Sequence, residues 1–227
     1  MVQPQAAVST KSEYAYQVLR EQILSGALEP GQVLNQATLA PSLGVSTTPL
    51  REALRRLSTE GLVELGAHRD SRVAPLTAEE ARDLLEMRRS LDPLAVSLAA
   101  ERRTKEDIRA MREAAEGLQP LHYDPSVEQL IAHRRLHAAI YRASHNDLLI
   151  ATLDALWDKA DRYRRLGLEV PHTEDERDLK AAEHADLIDN IVAGDADGAA
   201  AVMRRHINTS LGAKAASRLS AAPIPRQ

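Results

Sequence analysis

The sequence predicts a mostly α-helical protein in two parts: an N-terminal helix-turn-helix closed by a short β-hairpin, and a larger C-terminal antiparallel all-α helical bundle. Three observations carry this. Apolar residues recur at helical spacing through most of the chain. Turn residues punctuate the first third closely, whereas beyond Pro75 the breaks lie far apart. Leu62–Leu65 and Arg72–Pro75 are short β-compatible segments bracketing Gly66–Ser71, which reads as a hairpin.

Composition bounds the function. The 227 residues, 44% hydrophobic and 27% charged, supply ample core for one or two domains. No apolar run approaches the roughly 18 residues that would span a bilayer, and no export leader opens the chain, so a cytoplasmic protein without a membrane partner is expected. The absence of cysteine excludes disulfides and thiolate metal sites, leaving imidazoles and carboxylates as metal ligands. A net charge of −4 argues against a protein that coats nucleic acid indiscriminately. Residues 1–75 carry seven basic and seven acidic side chains, so the acidity belongs to the rest of the chain and a local DNA reader remains possible.

Taken in order, residues 1–10 lack periodicity and read as a flexible tail. Helix one runs from Ser12 to Ser25 with Tyr16, Leu19 and Ile23 on one face, and Gly26 with Pro30-Gly31 ends it. Asn35 can cap a short second helix bearing Leu39 and Leu43, and Gly44 supplies the left-handed residue after it. A third helix is expected from Pro49, capped by the Thr48 hydroxyl. Its Leu50, Ala53, Leu54 and Leu57 pack, while Ser46, Thr47, Thr48, Arg51 and Arg55 stay exposed, as in a helix that reads DNA; a merely solvated basic face is the bland alternative. Thr77 and Glu80 form a capping-box pattern opening a long helix to about Arg103, with Leu84, Met87, Leu91, Leu94, Ala95 and Leu98 as its apolar stripe. Thr104 starts another. Further helices are expected over about 124–144, 147–166, 174–193 and 195–216, separated by Pro120, Asn146, Pro171 and Gly194. The domains are thus 11–75 and 76–218, with residues 219–227 a frayed end.

The run LEPGQVLNQATLAPSLGVSTTPLREALRRLSTEGLVEL resembles the winged helix of the GntR family of bacterial transcription regulators, in which PG, LA, GVS, TP, REAL, RL and GL recur in this order. The likeness implies that Arg51 contacts a double-stranded DNA operator, with Ser46, Thr47, Thr48 and Arg55 alongside and His68 and Arg69 in the wing near the minor groove. Thr47 stands where the family usually has an arginine able to read guanine with two hydrogen bonds, and Asp70 replaces a wing glycine.

His133 and His137, four apart, project from one helical face and can chelate one ion, though such a pair is often a surface coincidence. His184 and His206 lie among Leu187, Ile188, Val202 and Ile207, so burial would oblige them to find partners, either metal or hydrogen bonds within the core. The segments EMRRSLDPLAVSLAA, HRRLHAAIYRASHNDLL and EHADLIDNIVAGDADGAAAVMRRHI resemble the FCD ligand-binding domain of the FadR subfamily of GntR regulators. That likeness implies a metal held by His133, His137, His184 and His206, with His133 in place of the usual aspartate and Leu136 in place of a phenylalanine. A neutral ligand for an anionic one leaves the ion more positive and favours zinc, nickel or cobalt over manganese or magnesium. The likeness also places Arg88 toward an effector cavity; a surface arginine paired with Glu86 or Asp92 is the alternative.

The functional expectation is a homodimeric repressor that binds a palindromic operator and responds to a small organic acid at a metal-containing site. The competing class is a metal-dependent hydrolase using the four histidines to activate water, against which stands the lack of a general base in a pattern such as HExxH.

Overall fold

The computed structural model describes residues 10–66, 70–118, 121, 127–169 and 173–221. It divides into two compact units, Met1–Leu76 and Thr77–Gln227.

In the first unit, helix α1 (Lys11–Ser25) starts at Thr10, whose hydroxyl accepts the Glu13 N–H, and ends at Gly26 with φ 79°. Strand β1 (Val33–Asn35) leads directly into α2 (Gln36–Ser42), because the Asn35 side chain turns to accept the N–H groups of Ala37 and Thr38. Helix α3 (Thr47–Thr59) then precedes β2 (Val63–Leu65) and β3 (Asp70–Val73). The sheet is antiparallel in the order β1-β3-β2, with Val33 opposite Arg72 and Val63 opposite Val73. Leu19, Leu34, Leu50, Leu54, Leu57, Leu62 and Val73 form its core.

Three local expectations need correction. The third helix begins at Thr47, with Ser46 in the capping position and no side-chain cap, so neither Thr48 nor Pro49 marks its start. Pro49 is tolerated as the third helical residue because the first N–H groups of a helix have no intrahelical acceptor. The second hairpin strand lies at Asp70–Val73, two residues earlier than the sequence suggests, and β1 is an additional strand. Three residues are too few to show alternation. β1 exists because β3 offers it an edge, and the pairing continues where the Gly31 N–H donates to the Val73 carbonyl (2.9 Å) and the Val73 N–H to that of Gln32 (2.9 Å).

The second unit contains α4 (Ala78–Arg102), α5 (Lys105–Ala115), α6 (Val127–Arg142), α7 (Asp147–Leu168), α8 (Glu174–Ala193), α9 (Ala196–Asn208) and α10 (Leu211–Ala221). Helix α4 is central, packing against α6, α7, α8, α9 and α10. Capping boxes at Thr104 and Thr173 start α5 and α8, and Gly194 (φ 82°) ends α8. At Thr77 the box is half made. The Thr77 hydroxyl accepts the Glu80 N–H, but the Thr77 N–H donates to Tyr163 Oη (3.1 Å), and Glu80 accepts from Tyr163 (2.7 Å) and Lys159 (3.0 Å). The α6–α7 turn passes through His145 at φ 46°, whose Nε2 meets Asp107 Oδ2 at 2.8 Å.

The apolar stripe expected on α4 joined two faces. Leu84 and Ala95 are buried, but Met87 and Leu94 are each 46% exposed, while Arg88 and Asp92 point inward. The expected single C-terminal helix is two, interrupted at Thr209-Ser210. There α10 crosses α7 so closely that a Cβ on Gly167 would collide with the Leu211 carbonyl. No described helix is long and apolar enough to cross a membrane.

Candidate metal centre

Helix α6 carries His133 and His137 one turn apart, α8 carries His184 and α9 carries His206. Their donor nitrogens all lie within 4.8 Å of one another. His137, His184 and His206 are buried and His133 half-buried. Of the other histidines, His145 is on the α6–α7 turn, and His68, His122 and His172 lie outside the described residues.

Neighbouring groups orient two of the rings. His137 Nδ1 lies 3.3 Å from Tyr141 Oη, which donates to Asp92 Oδ2 at 2.9 Å. With the tyrosine proton committed to Asp92, His137 carries its own proton on Nδ1 and leaves Nε2 with a lone pair. His206 Nδ1 meets Glu183 Oε2 at 2.9 Å, with the same consequence. Lys180 Nζ reaches that same Glu183 oxygen at 2.7 Å. Burial raises the Glu183 carboxyl, but the hydrogen bonds from His206 and Lys180 outweigh it and hold its pKa down at about 2. Burial pushes all four imidazoles below their usual range, reinforced by nearby positive charge at His133, His137 and His184, the last to about 3, and opposed at His206 by its hydrogen bond to Glu183.

This donor set fits a divalent transition metal. The downward shifts favour neutral rings, as ligation requires, and His137 Nε2 and His184 Nε2 face each other at 3.3 Å. Two nitrogens about 2.0–2.1 Å from a tetrahedral zinc are themselves about 3.3 Å apart. Four nitrogen donors suit zinc, nickel or cobalt.

The histidines line a cavity of about 450 Å³, whose wall includes Leu118, Leu121, Trp157, Leu179, Ile188 and Leu211. Two buried arginines lie over the Trp157 ring, Arg88 at 4.7 Å and Arg164 at 4.9 Å from its centre. Arg88 therefore lines the cavity and also pairs with Asp92, its Nε (3.1 Å) and Nη2 (2.7 Å) both donating to Oδ2. For Arg88, the attraction of Asp92 outweighs burial and raises the pKa. For Arg164, burial prevails and lowers it, although Nη1 donates to Asp161 (2.7 Å); Nη2 donates to His133 Nδ1 (3.1 Å).

Sequence reasoning had no role for Asp92 beyond a surface pair, and none for Tyr141, Trp157, Arg164 or Glu183. The four-residue step from His137 to Tyr141 and the adjacency of Glu183 to His184 were the available signals. Arg164 carried none, since a charged residue amid Asp161, Arg162 and Arg165 reads as a solvated face.

In the first unit, Ser46 at the cap of α3 and Thr47, Thr48, Arg51 and Arg55 along it are exposed. Arg56, on the same helix, is tied to Glu13 (2.7 Å) and lies over the Tyr16 ring (3.5 Å), so it is a packing residue. His68 and Arg69 lie outside the described residues.

Residues 83–209 match the FCD domain family, and residues 11–72 the gntR family of bacterial regulatory proteins. The chain is 34% identical to the HTH-type transcriptional regulator McbR of Escherichia coli K12 over 61% of its own length and 63% of McbR's. It is 29% identical to the transcriptional repressor GlaR of the same organism, over 86% of this chain and 92% of GlaR. It is 30% identical to a probable D-xylose utilization operon repressor of Paenarthrobacter nicotinovorans, over 86% and 85% of the two chains. Its fold is similar to the solved structure of E. coli McbR, with a TM-score of 0.74 at 25% identity, covering 93% and 97% of the chains.

Proposed function

Because the chain belongs to the FCD-containing GntR family of bacterial transcription regulators, and not to a family of enzymes, we propose that it is a metal-containing repressor whose operator affinity is set by a small organic acid bound beside four histidines. The observation that carries this is the all-imidazole group, three of its four rings buried, opening on a cavity with two arginines. A divalent ion held by His133, His137, His184 and His206 would supply a full +2 charge and a coordination position for a carboxylate oxygen. Around it, Glu183 and the Tyr141–Asp92 pair hold the imidazole lone pairs in place, and the apolar wall excludes water from the ligand's body. The hydrolase alternative loses its support. Asp92, Glu183 and Asp161, the carboxylates described in contact with these histidines or their partners, are already bound by Arg88 and Tyr141, by His206 and Lys180, and by Arg134 and Arg164.

In the first unit, Arg51 and Arg55 have no ion pair among the described residues and are free for phosphates or base edges, with Ser46, Thr47 and Thr48 beside them. One recognition helix covers only a few base pairs, so a homodimer on a palindromic operator follows from the geometry of reading, and the cytoplasm is where that operator resides. Residues 11–75 would read DNA and 76–218 would bind effector and partner.

The test uses His184→Ala and His206→Ala in the full chain. Both are expected to lower zinc content by elemental analysis and to abolish the effector's influence on operator binding, with effector-free DNA affinity largely kept. Wild-type zinc content in both variants, or an intact effector response after full chelation, would overturn the reading.

A further inference from the structure

The proposed function leaves open which side chain receives the acid. Arg88 faces the cavity, but two of its donor groups already converge on Asp92 Oδ2, and the pair is almost wholly buried (side chains 7% and 0% exposed). Those two contacts involve no histidine, so only Arg88 Nη1 is left for a ligand and the Arg88–Asp92 pair stays as it is when the histidines take a metal. Arg164 is different. It is equally buried, lines the same cavity and also lies over the Trp157 ring, and Asp161 holds only its Nη1. Its Nη2 is committed to His133 Nδ1, and that commitment cannot coexist with a metal. A neutral imidazole has one lone pair. If Nδ1 accepts from Arg164, the ring proton sits on Nε2 and neither nitrogen can ligate; if Nε2 ligates, Nδ1 carries the proton and faces a donor with a donor.

We propose, building on the metal-centred reading above, that Arg164 is the carboxylate-receiving residue of this chain and that His133 controls its availability, holding Nη2 in the metal-free state and releasing it on becoming a ligand. Asp161 and the Trp157 face keep the released guanidinium against the cavity wall, so its freed donor is presented to the cavity. The ligand class is a carboxylate whose body packs against the apolar wall at Trp157, Leu118 and Ile188. Metal and acid then bind with positive coupling without requiring the acid to touch His133. A four-histidine set makes this arrangement available, since an aspartate at position 133 would bind Arg164 and the ion at once through its two oxygens.

The probes are zinc alone and acetate, titrated calorimetrically into the full-length wild type, Arg164→Met and Arg164→Lys. Arg164→Met is expected to bind zinc as tightly as wild type or up to about tenfold more tightly, because His133 no longer has to leave a donor. Acetate affinity of the zinc-loaded variant is expected to fall roughly 10- to 100-fold, the loss of a hydrogen-bonded charge partner. Lysine should recover part of this. In metal-free wild type, nitrogen NMR should find His133 Nδ1 unprotonated, and zinc should reverse that. Acetate affinity within about twofold of wild type in a folded Arg164 variant, or protonated Nδ1 without metal, would overturn the proposal. So would a tenfold loss of zinc affinity in Arg164→Met, which would make Arg164 a prop for His133. If neither variant folds, the wild-type nitrogen measurement decides. Failure of wild type to take up zinc would refute the metal reading, and zinc uptake with no response to acetate, or with acetate binding no tighter than without metal, would refute the effector site.

Discussion

Replacing Asp92 by asparagine separates the two tasks that this carboxylate performs. Asp92 is fully buried, its Oδ2 accepts from Arg88 Nε, Arg88 Nη2 and Tyr141 Oη, and through Tyr141 it fixes the tautomer of His137. Removing its charge leaves Arg88 buried without a counter-ion, which costs about 3–5 kcal/mol. That is a large part of the roughly 5–15 kcal/mol that holds a domain together, so the variant should stay folded near neutral pH with a much lower urea midpoint. Because the tyrosine proton loses its charged acceptor, His137 is oriented less firmly, and zinc affinity should fall roughly 10- to 100-fold, the usual consequence of losing a ligand's supporting partner. A double variant, Arg88→Met with Asp92→Leu, removes both charges and should recover most of the metal-free stability while leaving zinc affinity low. Urea denaturation followed by helical circular dichroism in chelator, and competition titration with zinc, measure the two effects. A loss below about 1 kcal/mol in Asp92→Asn would mean that Arg88 is not held as a buried ion, and zinc affinity unchanged in the folded variant would show that His137 needs no support from Tyr141 and Asp92.

Other substitutions probe separate parts of the molecule. Arg51→Ala should abolish specific operator binding, removing a contact worth about 1–3 kcal/mol while helix content is unchanged; an undiminished mobility shift at fixed salt would refute its role. Thr47→Arg should move base preference toward guanine at one position of each half-site, and a selection from random duplexes that returned identical motifs for both proteins would reject this. Gly167→Ala should destabilise the second unit by roughly 1–3 kcal/mol, because α7 and α10 must separate to admit the methyl group, and a thermal midpoint equal to wild type would show that α10 is free to shift.

The sequence by itself determined whatever depends on near neighbours. Gly26, Gly44 and Gly194 lie where a positive φ ends a helix or a turn, and Thr104 and Thr173 start helices through their own side chains; both are local events that chain order specifies. His133 and His137 share a face for the same reason, because one helical turn puts them together whatever surrounds it. Tertiary structure decided the rest. β1 is a strand only because β3 runs beside it. The inward face of α4 escaped a reading based on burying apolar groups, since that helix turns the ion pair of Arg88 and Asp92 inside and leaves Met87 and Leu94 in solvent. Periodicity gives the angle between side chains but not which of them looks inward, and a cavity built to hold charge inverts the usual preference. Glu183, Tyr141 and Arg164 gain their positions from contacts with His206, Asp92 and His133, 23, 49 and 31 residues away in the chain, and no local pattern encodes a partner at that distance.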